Sequence, residues 1–192
     1  MTAQEYLEKN FADKQTTIIS FSEEEKLTGD LIIQDYPNLE EIYLPNHELT
    51  SLTVINCPNL KKINVRNNLV SKLEIQGTNQ IAELIAGQNQ LESLNLANCP
   101  KISRLIVPDN PLLSKLENLN LVTIKDINVA NTLVNLAEEN EKLKAENKNL
   151  YEIIKTVDEG GYQKKLVIVE PIQTTKQAEE AIQRHLSETA EK

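Results

Sequence analysis

The tightest constraint on this chain is a fixed period. Aligned on their first aliphatic residue, LEEIYLPNHELTSLTVINCPN (39–59), LKKINVRNNLVSKLEIQGTNQ (60–80) and IAELIAGQNQLESLNLANCPK (81–101) start 21 residues apart (60 − 39 = 81 − 60 = 21). A fourth unit opens at Ile102. A fifth, IKDINVANTLV, opens at Ile124 after a one-residue insertion around Leu112 and Leu113. One such unit can hide its apolar side only against its neighbours, so a repeat of this kind demands a solenoid. The core material agrees: aromatic residues are 4% and Trp is absent, which suits a thin aliphatic layer of Leu, Ile and Val copied from coil to coil.

Each unit reads LxxLxLxxNxL. The inward set is Leu39, Ile42, Leu44, His47 and Leu49, repeated as Leu60, Ile63, Val65, Asn68 and Val70. It continues as Ile81, Leu84, Ala86, Asn89 and Leu91, then as Ile102, Leu105, Val107, Asn110 and Leu112. The second half of each unit repeats the cadence (Leu52, Val54, Cys57; Leu73, Ile75, Thr78; Leu94, Leu96, Cys99). Alternation of this kind points side chains to opposite faces of a strand, so both halves should be strands that stack in parallel about 4.8 Å apart.

The pattern over residues 18–136 resembles the leucine-rich repeat family, and its nested form is similar to the short 21-residue bacterial-type class called IRREKO. The resemblance implies a mainly β solenoid with parallel strands on two faces. It also implies that the conserved-position Asn, here Asn68, Asn89 and Asn110, turns inward after the strand. There its amide can satisfy backbone groups left unpaired by the bend. His47 and Thr132 take that place in the first and last units, as atypical end repeats do.

A bare terminal coil would expose its apolar layer, so both ends need covers. Counting back 21 from Leu39 puts Ile18 in register, with Phe21, Leu31, Ile33 and Tyr36 following, while Glu23 and Lys26 break the pattern. Residues 15–38 therefore read as a degenerate capping coil within a 1–38 amino-terminal unit, ahead of the 39–132 solenoid. Before it, Thr2 and Glu5 stand in capping-box spacing and Tyr6, Leu7 and Phe11 share roughly one face, which predicts a short capping helix.

From Leu133 the period changes. Leu136, Leu143, Leu150 and Val157 fall seven apart, with Leu133, Asn140, Asn147 and Ile154 between them. This resembles a leucine zipper, and it predicts a long helix over 133–157 that dimerises in parallel through Leu136, Asn140, Leu143, Asn147, Leu150, Ile154 and Val157. A lone helix folded onto the last coil is the alternative. No basic region precedes the heptads, so DNA reading is not expected. Residues 158–192 form a linker (DEGGYQ), a candidate strand (KKLVIVEPI) and a candidate helix from Thr174, or a disordered tail.

The formal net charge of −9 opposes binding to nucleic acid or anionic membrane, which need a basic footprint. The chain opens without an apolar stretch of signal-peptide length and contains no 18-residue apolar run, so a cytoplasmic protein is expected. Two Cys, two His and one Met, with no phosphate-cradling glycine motif or metal-ligand spacing, leave no basis for catalysis, a metal or a cofactor. What remains is a surface. Outward strand positions form one column of alternating charge (Glu41, Lys62, Glu83, Arg104, Asp126) and a second of Tyr43, Asn64, Ile85, Ile106 and Asn128, with Arg66 beside it. Cross-strand pairing of the charges, about 0.2–1 kcal/mol per pair, explains the first column without a partner. The second, with Arg104 and Arg66 alongside, is the expected binding patch for a protein partner, because aromatics and Arg are enriched where binding energy concentrates. The expected function is a non-enzymatic interaction scaffold that dimerises through its C-terminal helix. The competing reading makes the coiled coil the functional part and the solenoid a spacer or head group.

Overall fold

The computed structural model describes residues 1–22, 24–120 and 123–134, together with the strand backbones at 153–157 and 164–168. A helix, α1 (Ala3–Asn10), opens the chain. It is followed by β1 (Ile18–Ser20), β2 (Thr28–Gln34), β3 (Glu41–Tyr43), β4 (Glu48–Ile55), β5 (Lys62–Asn64) and β6 (Lys72–Gln76). Then come β7 (Glu83–Ile85), β8 (Ser93–Asn95), β9 (Arg104–Ile106), β10 (Lys115–Glu117), β11 (Asp126–Asn128), β12 (Ile153–Val157) and β13 (Lys164–Ile168). Odd-numbered strands β1 to β11 stack in parallel on one face, and even-numbered strands β2 to β10 lie on the other. Five turns of a parallel β-solenoid result, and a sixth first-face strand follows them.

The register reproduces the period read from the sequence. On the first face the steps are 62 − 41 = 21, 83 − 62 = 21, 104 − 83 = 21 and 126 − 104 = 22. The centre residue of each strand (Ile42, Ile63, Leu84, Leu105, Ile127) is buried, and its neighbours point outward. Burying each such aliphatic side chain contributes about 1.5–3 kcal/mol. The layer therefore has no weight in any single coil and much in the stack.

Two register assignments are corrected. Ile18 does not take the inward place that counting back 21 gives it. It pairs with Glu41, a step of 41 − 18 = 23, and is 49% exposed, while Ile19 behind it is fully buried. The first coil carries its extra residues before Leu27, and a bulge between Gly29 and Asp30 returns the second face to a step of 52 − 31 = 21. Lys26, which breaks the pattern, bonds the Asn46 carbonyl. Glu23 lies outside the described residues. In the fourth repeat unit, which opens at Ile102, the insertion falls before the second-face strand, so Leu113 faces inward at 0% exposure and Leu112 is pushed out to 54%.

The inward Asn residues behave as a ladder. Asn89 accepts the Val70 N–H at 2.9 Å and donates to the carbonyls of Val65, Ala86 and Gly87 at 2.9, 3.1 and 3.1 Å. Asn68 serves Leu49, Leu44 and Val65 in the same way, and Asn110 serves Leu91, Ala86 and Val107. Each carboxamide thus closes backbone groups of its own coil and of the coil before it. In the first repeat unit (39–59) His47 replaces the carboxamide. The Leu27 N–H points to its Nδ1 at 3.4 Å, and its ring meets Phe21 edge-on at 5.8 Å between centroids. At the last, the Thr132 hydroxyl donates to the Val129 carbonyl at 2.7 Å. The bend that aims each ladder residue inward needs a left-handed residue just before it. Asn46, Asn67, Gln88, Asp109 and Asn131 all have φ between 55° and 65°, where Asn and Asp carry the smallest penalty after Gly.

The amino-terminal cap is as the sequence predicts. Thr2 Oγ1 accepts the Glu5 N–H while a Glu5 carboxylate oxygen accepts the Thr2 N–H, a reciprocal capping box. Ala3 and Leu7 are buried against the first coil. The two sheets end differently there: Thr16 Oγ1 both donates to the Ile18 carbonyl and accepts its N–H, so one side chain occupies the edge of β1.

At the other end the eight-stranded order is β1-β3-β5-β7-β9-β11-β13-β12. β13 pairs antiparallel with β11, and β12 pairs antiparallel with β13. The strand expected in KKLVIVEPI is therefore present at Lys164–Ile168. The helix expected over 133–157 is corrected in its last part: Ile153–Val157, which include the heptad positions Ile154 and Val157, form β12. The isoleucine, threonine and valine of IIKTV suit a strand better than a helix. Leu136, Asn140, Leu143, Asn147 and Leu150, and the helix expected from Thr174, lie outside the described residues.

The second face is less continuous than the first. It divides into β2-β4-β6 and β8-β10, with no ladder joining β6 to β8. Where that ladder would run, the Asn98 side chain donates to the Ile75 carbonyl at 2.7 Å.

Cys57 and Cys99 sit in one inward column two coils apart, both buried and both free thiols. At two strand spacings their separation is roughly 10 Å, beyond the reach of a disulfide. Burial raises the Cys57 thiol and pushes Cys99 up to about 11. Both thiols should therefore resist iodoacetamide in the native protein near pH 8 and label fully in denaturant. An unreduced mass spectrum showing a 57–99 bridge, or rapid native labelling of Cys99, would contradict this register.

Candidate partner-binding face

The first face is assembled from five tripeptides, EIY, KIN, ELI, RLI and DIN, each burying its middle residue. Their outward residues form the two columns expected from the sequence, since Glu41, Lys62, Glu83, Arg104 and Asp126 are partners in register, as are Tyr43, Asn64, Ile85, Ile106 and Asn128. The structure brings Tyr43, Asn64, Ile85, Arg104 and Ile106 onto one surface.

Their roles there are unequal. Arg104 is spoken for: its Nη1 lies 3.1 Å from Glu83 Oε1 and its Nε 3.0 Å from Asp126 Oδ2. The hydrogen bond to Asp126, with Glu83 adding its charge, holds the guanidinium above its usual range. The alternating charges thus pair with one another in this part of the column. Arg104 and Asp126 are well exposed and Glu83 partly so, so each pair contributes about 0–1 kcal/mol and weakens with salt. Asn64 Oδ1 accepts the Arg66 N–H at 3.1 Å and Asn128 Oδ1 the Ala130 N–H at 3.0 Å, so these two side chains shape the turns that leave their strands. Arg66 Nε donates to Gln88 Oε1 at 2.9 Å.

In the second column the members that make no side-chain polar bond are Tyr43, Ile85 and Ile106. Ile85 and Ile106 are directly paired in adjacent strands and are half-buried rather than fully exposed, each shielding the other. Tyr43 is 41% exposed two coils away. Beside the isoleucines the backbones of successive coils approach closely at Gly87. A Cβ there would stand 2.8 Å from Pro108 Cδ and 3.1 Å from its carbonyl oxygen, so only glycine keeps this stretch flat.

Sequence reading did not find the column Asn46, Asn67, Gln88, Asp109 and Asn131, although its signal was present: left-handed-tolerant residues recur one place before each ladder position. Their side chains link along the corner, Asn67 Nδ2 to Asn46 Oδ1 at 2.9 Å and Asn131 Nδ2 to Asp109 Oδ1 at 2.6 Å. Among the described residues no group of three or more His, Cys, Asp or Glu could hold a metal ion, and no helix is long and apolar enough to cross a membrane. No family model, curated protein or solved structure matches this chain.

Proposed function

We propose that the chain is a leucine-rich-repeat-type interaction module, non-enzymatic, whose first face recognises a protein partner. The observation that carries this reading is the in-register Ile85 and Ile106 pair, with Tyr43 further along the same column, on a sheet held flat by backbone ladders. The ladder-held Ile85 and Ile106 pair, edged by charges, loses little entropy on binding, and with Tyr43 it supplies the kind of residues that anchor interfaces. Arg104 and its two carboxylates would form the polar rim, where they set orientation and association rate more than affinity.

The test is partner capture by the full chain. Ile106→Asp combined with Arg104→Glu should reduce capture by about tenfold or more while circular dichroism and the melting temperature stay close to those of the parent. Capture that survives this pair places recognition elsewhere. A 1–134 fragment separates the assembly reading from this one, because the interaction module keeps its partner without residues 135–192 and the assembly element does not.

A further inference from the structure

Turned end over end, the charged column of the first face becomes its own complement. From β5 to β11 the residues in register are Lys62, Glu83, Arg104 and Asp126, so the charge alternates from coil to coil. A two-fold axis lying in the face, parallel to the strands and midway between β7 and β9, reverses that order on a facing copy. Glu83 then stands opposite Arg104 of the copy and Lys62 opposite Asp126, each pairing occurring twice. Lys62 makes no ion pair among the described residues. Asp126 holds Arg104 through Oδ2, which leaves its other oxygen to meet Lys62. In the second column Ile85 and Ile106, partners in register and half-buried, meet Ile106 and Ile85 of the copy. Four isoleucines gather at the axis, with Asn64 opposite Asn128 outside them.

Other placements of the axis do worse. Through β7 itself it sets Glu83 on Glu83 and Lys62 on Arg104, and through β9 it sets Arg104 on Arg104 and Glu83 on Asp126, all like charges that oppose association. Midway between β5 and β7 the signs match again, but Ile85 lands on Asn64 and Asp126 on Ile18. Midway between β9 and β11, Ile106 lands on Asn128. An axis along the stack lays the charged column over the isoleucines. The chosen axis also falls at the centre of the eight-stranded order β1-β3-β5-β7-β9-β11-β13-β12, so the two sheets overlap over their whole height. At about 4.8 Å per strand and roughly 3.3 Å per residue over about six residues, each sheet offers about 760 Å2. Standard specific interfaces bury about 800 Å2 per partner. At the margin Lys61 faces Lys125 of the copy, a like-charge pairing softened by Glu40, which holds Lys61 at 2.9 Å.

We propose that the partner of the first face is a second copy of this chain, docked about a two-fold axis that runs along the strands between β7 and β9. This rests on the reading of that face as a docking surface and names what docks there. The interface is isologous, each patch meeting itself, with the two sheets about 10 Å apart. The isoleucines supply its dry centre, and the alternating charges fix its register, because a slip by one coil brings like charges together.

The test is sedimentation equilibrium of the full chain from about 1 to 200 µM, a range that covers weak homodimers. A concentration-dependent dimer is expected, weakening severalfold between about 0.05 and 0.5 M NaCl. Arg104→Glu should weaken it by about tenfold, since it sets like charges opposite Glu83 at two places, and Glu83→Arg alone should do the same. Combined, the two substitutions restore opposite signs across the axis and should return association to within about threefold of the parent. Ile106→Asp should cost about tenfold or more, with circular dichroism unchanged in every variant. A double variant as weak as the single ones, or a dimer indifferent to all of these changes, overturns the proposal. A monomer throughout the range overturns it as well. In that case, capture of a different protein that Ile106→Asp with Arg104→Glu still abolishes keeps the docking face and removes only the second copy.

Discussion

Leu113→Ala should cost about 2–5 kcal/mol of folding free energy, and Leu112→Ala should stay within about 0.5 kcal/mol of the parent. The two leucines are adjacent in sequence, identical in chemistry and opposite in placement, 0% and 54% exposed. Truncating the first removes aliphatic contacts to the coils on either side and leaves a cavity that rigid ladders cannot close. Truncating the second removes surface that water already wets. Urea unfolding of both variants, with unchanged dependence on denaturant, measures the difference directly. Equal midpoints, or a larger loss for Leu112→Ala, would mean that the fourth repeat unit carries its inserted residue elsewhere.

Asn89→Ala should be among the most costly polar substitutions in the stack. Its carboxamide makes one bond as acceptor and three as donor, all to backbone groups inside the bend. Leaving a buried backbone group unsatisfied costs about 1–3 kcal/mol, so a loss of about 3 kcal/mol is expected even where the carbonyls keep other partners. Asn89→Asp should be at least as damaging at neutral pH, since it removes the donor and sets a carboxylate against three carbonyl oxygens. The control is Asn95→Ala. Asn95 Oδ1 accepts the Ala97 N–H and Asn118 Nδ2, both at 2.9 Å, but at the exposed surface where water replaces it, and a loss under about 1 kcal/mol is expected. Matching denaturation midpoints for Asn89→Ala and Asn95→Ala would refute the ladder.

Most of the stack was legible from the chain because a solenoid is specified locally. A residue's neighbours are itself one period away, so aligning Leu84 with Ile63 and Leu105 is already a statement about contacts. The capping box was legible for the same reason, Thr2 and Glu5 being three residues apart. The period misled where a coil departs from it: counting by 21 puts Ile18 and Leu112 inward, whereas a step of 23 at the first coil and an insertion in the fourth repeat unit turn them out. Heptad spacing misled at Ile154 and Val157, where β-branched residues pair as a strand with Lys164–Ile168. The candidate face was only half legible. Column membership of Ile85 and Ile106 follows from spacing, but the commitment of Arg104 to two carboxylates depends on rotamers. The bond from the Ile32 N–H to Gln4 Oε1 could not be read at all, since the two residues are 28 apart and no period relates them.

The interruption between β6 and β8 has a mechanical consequence. The first face is stitched through every coil, whereas on the second β6 and β8 are joined not by a strand ladder but by the Gln90 N–H to the Val70 carbonyl and the Asn98 side chain to the Ile75 carbonyl. A stack built this way should bend most readily at that level, with the continuous β5–β7 ladder as its leaf. Asn64 and Ile85 face each other across that leaf, so Tyr43 belongs to one plate and the Ile85 and Ile106 pair to the other. A rigid partner seated on both plates would fix the angle between them, and one seated on the isoleucines alone would leave the amino-terminal plate free to swing.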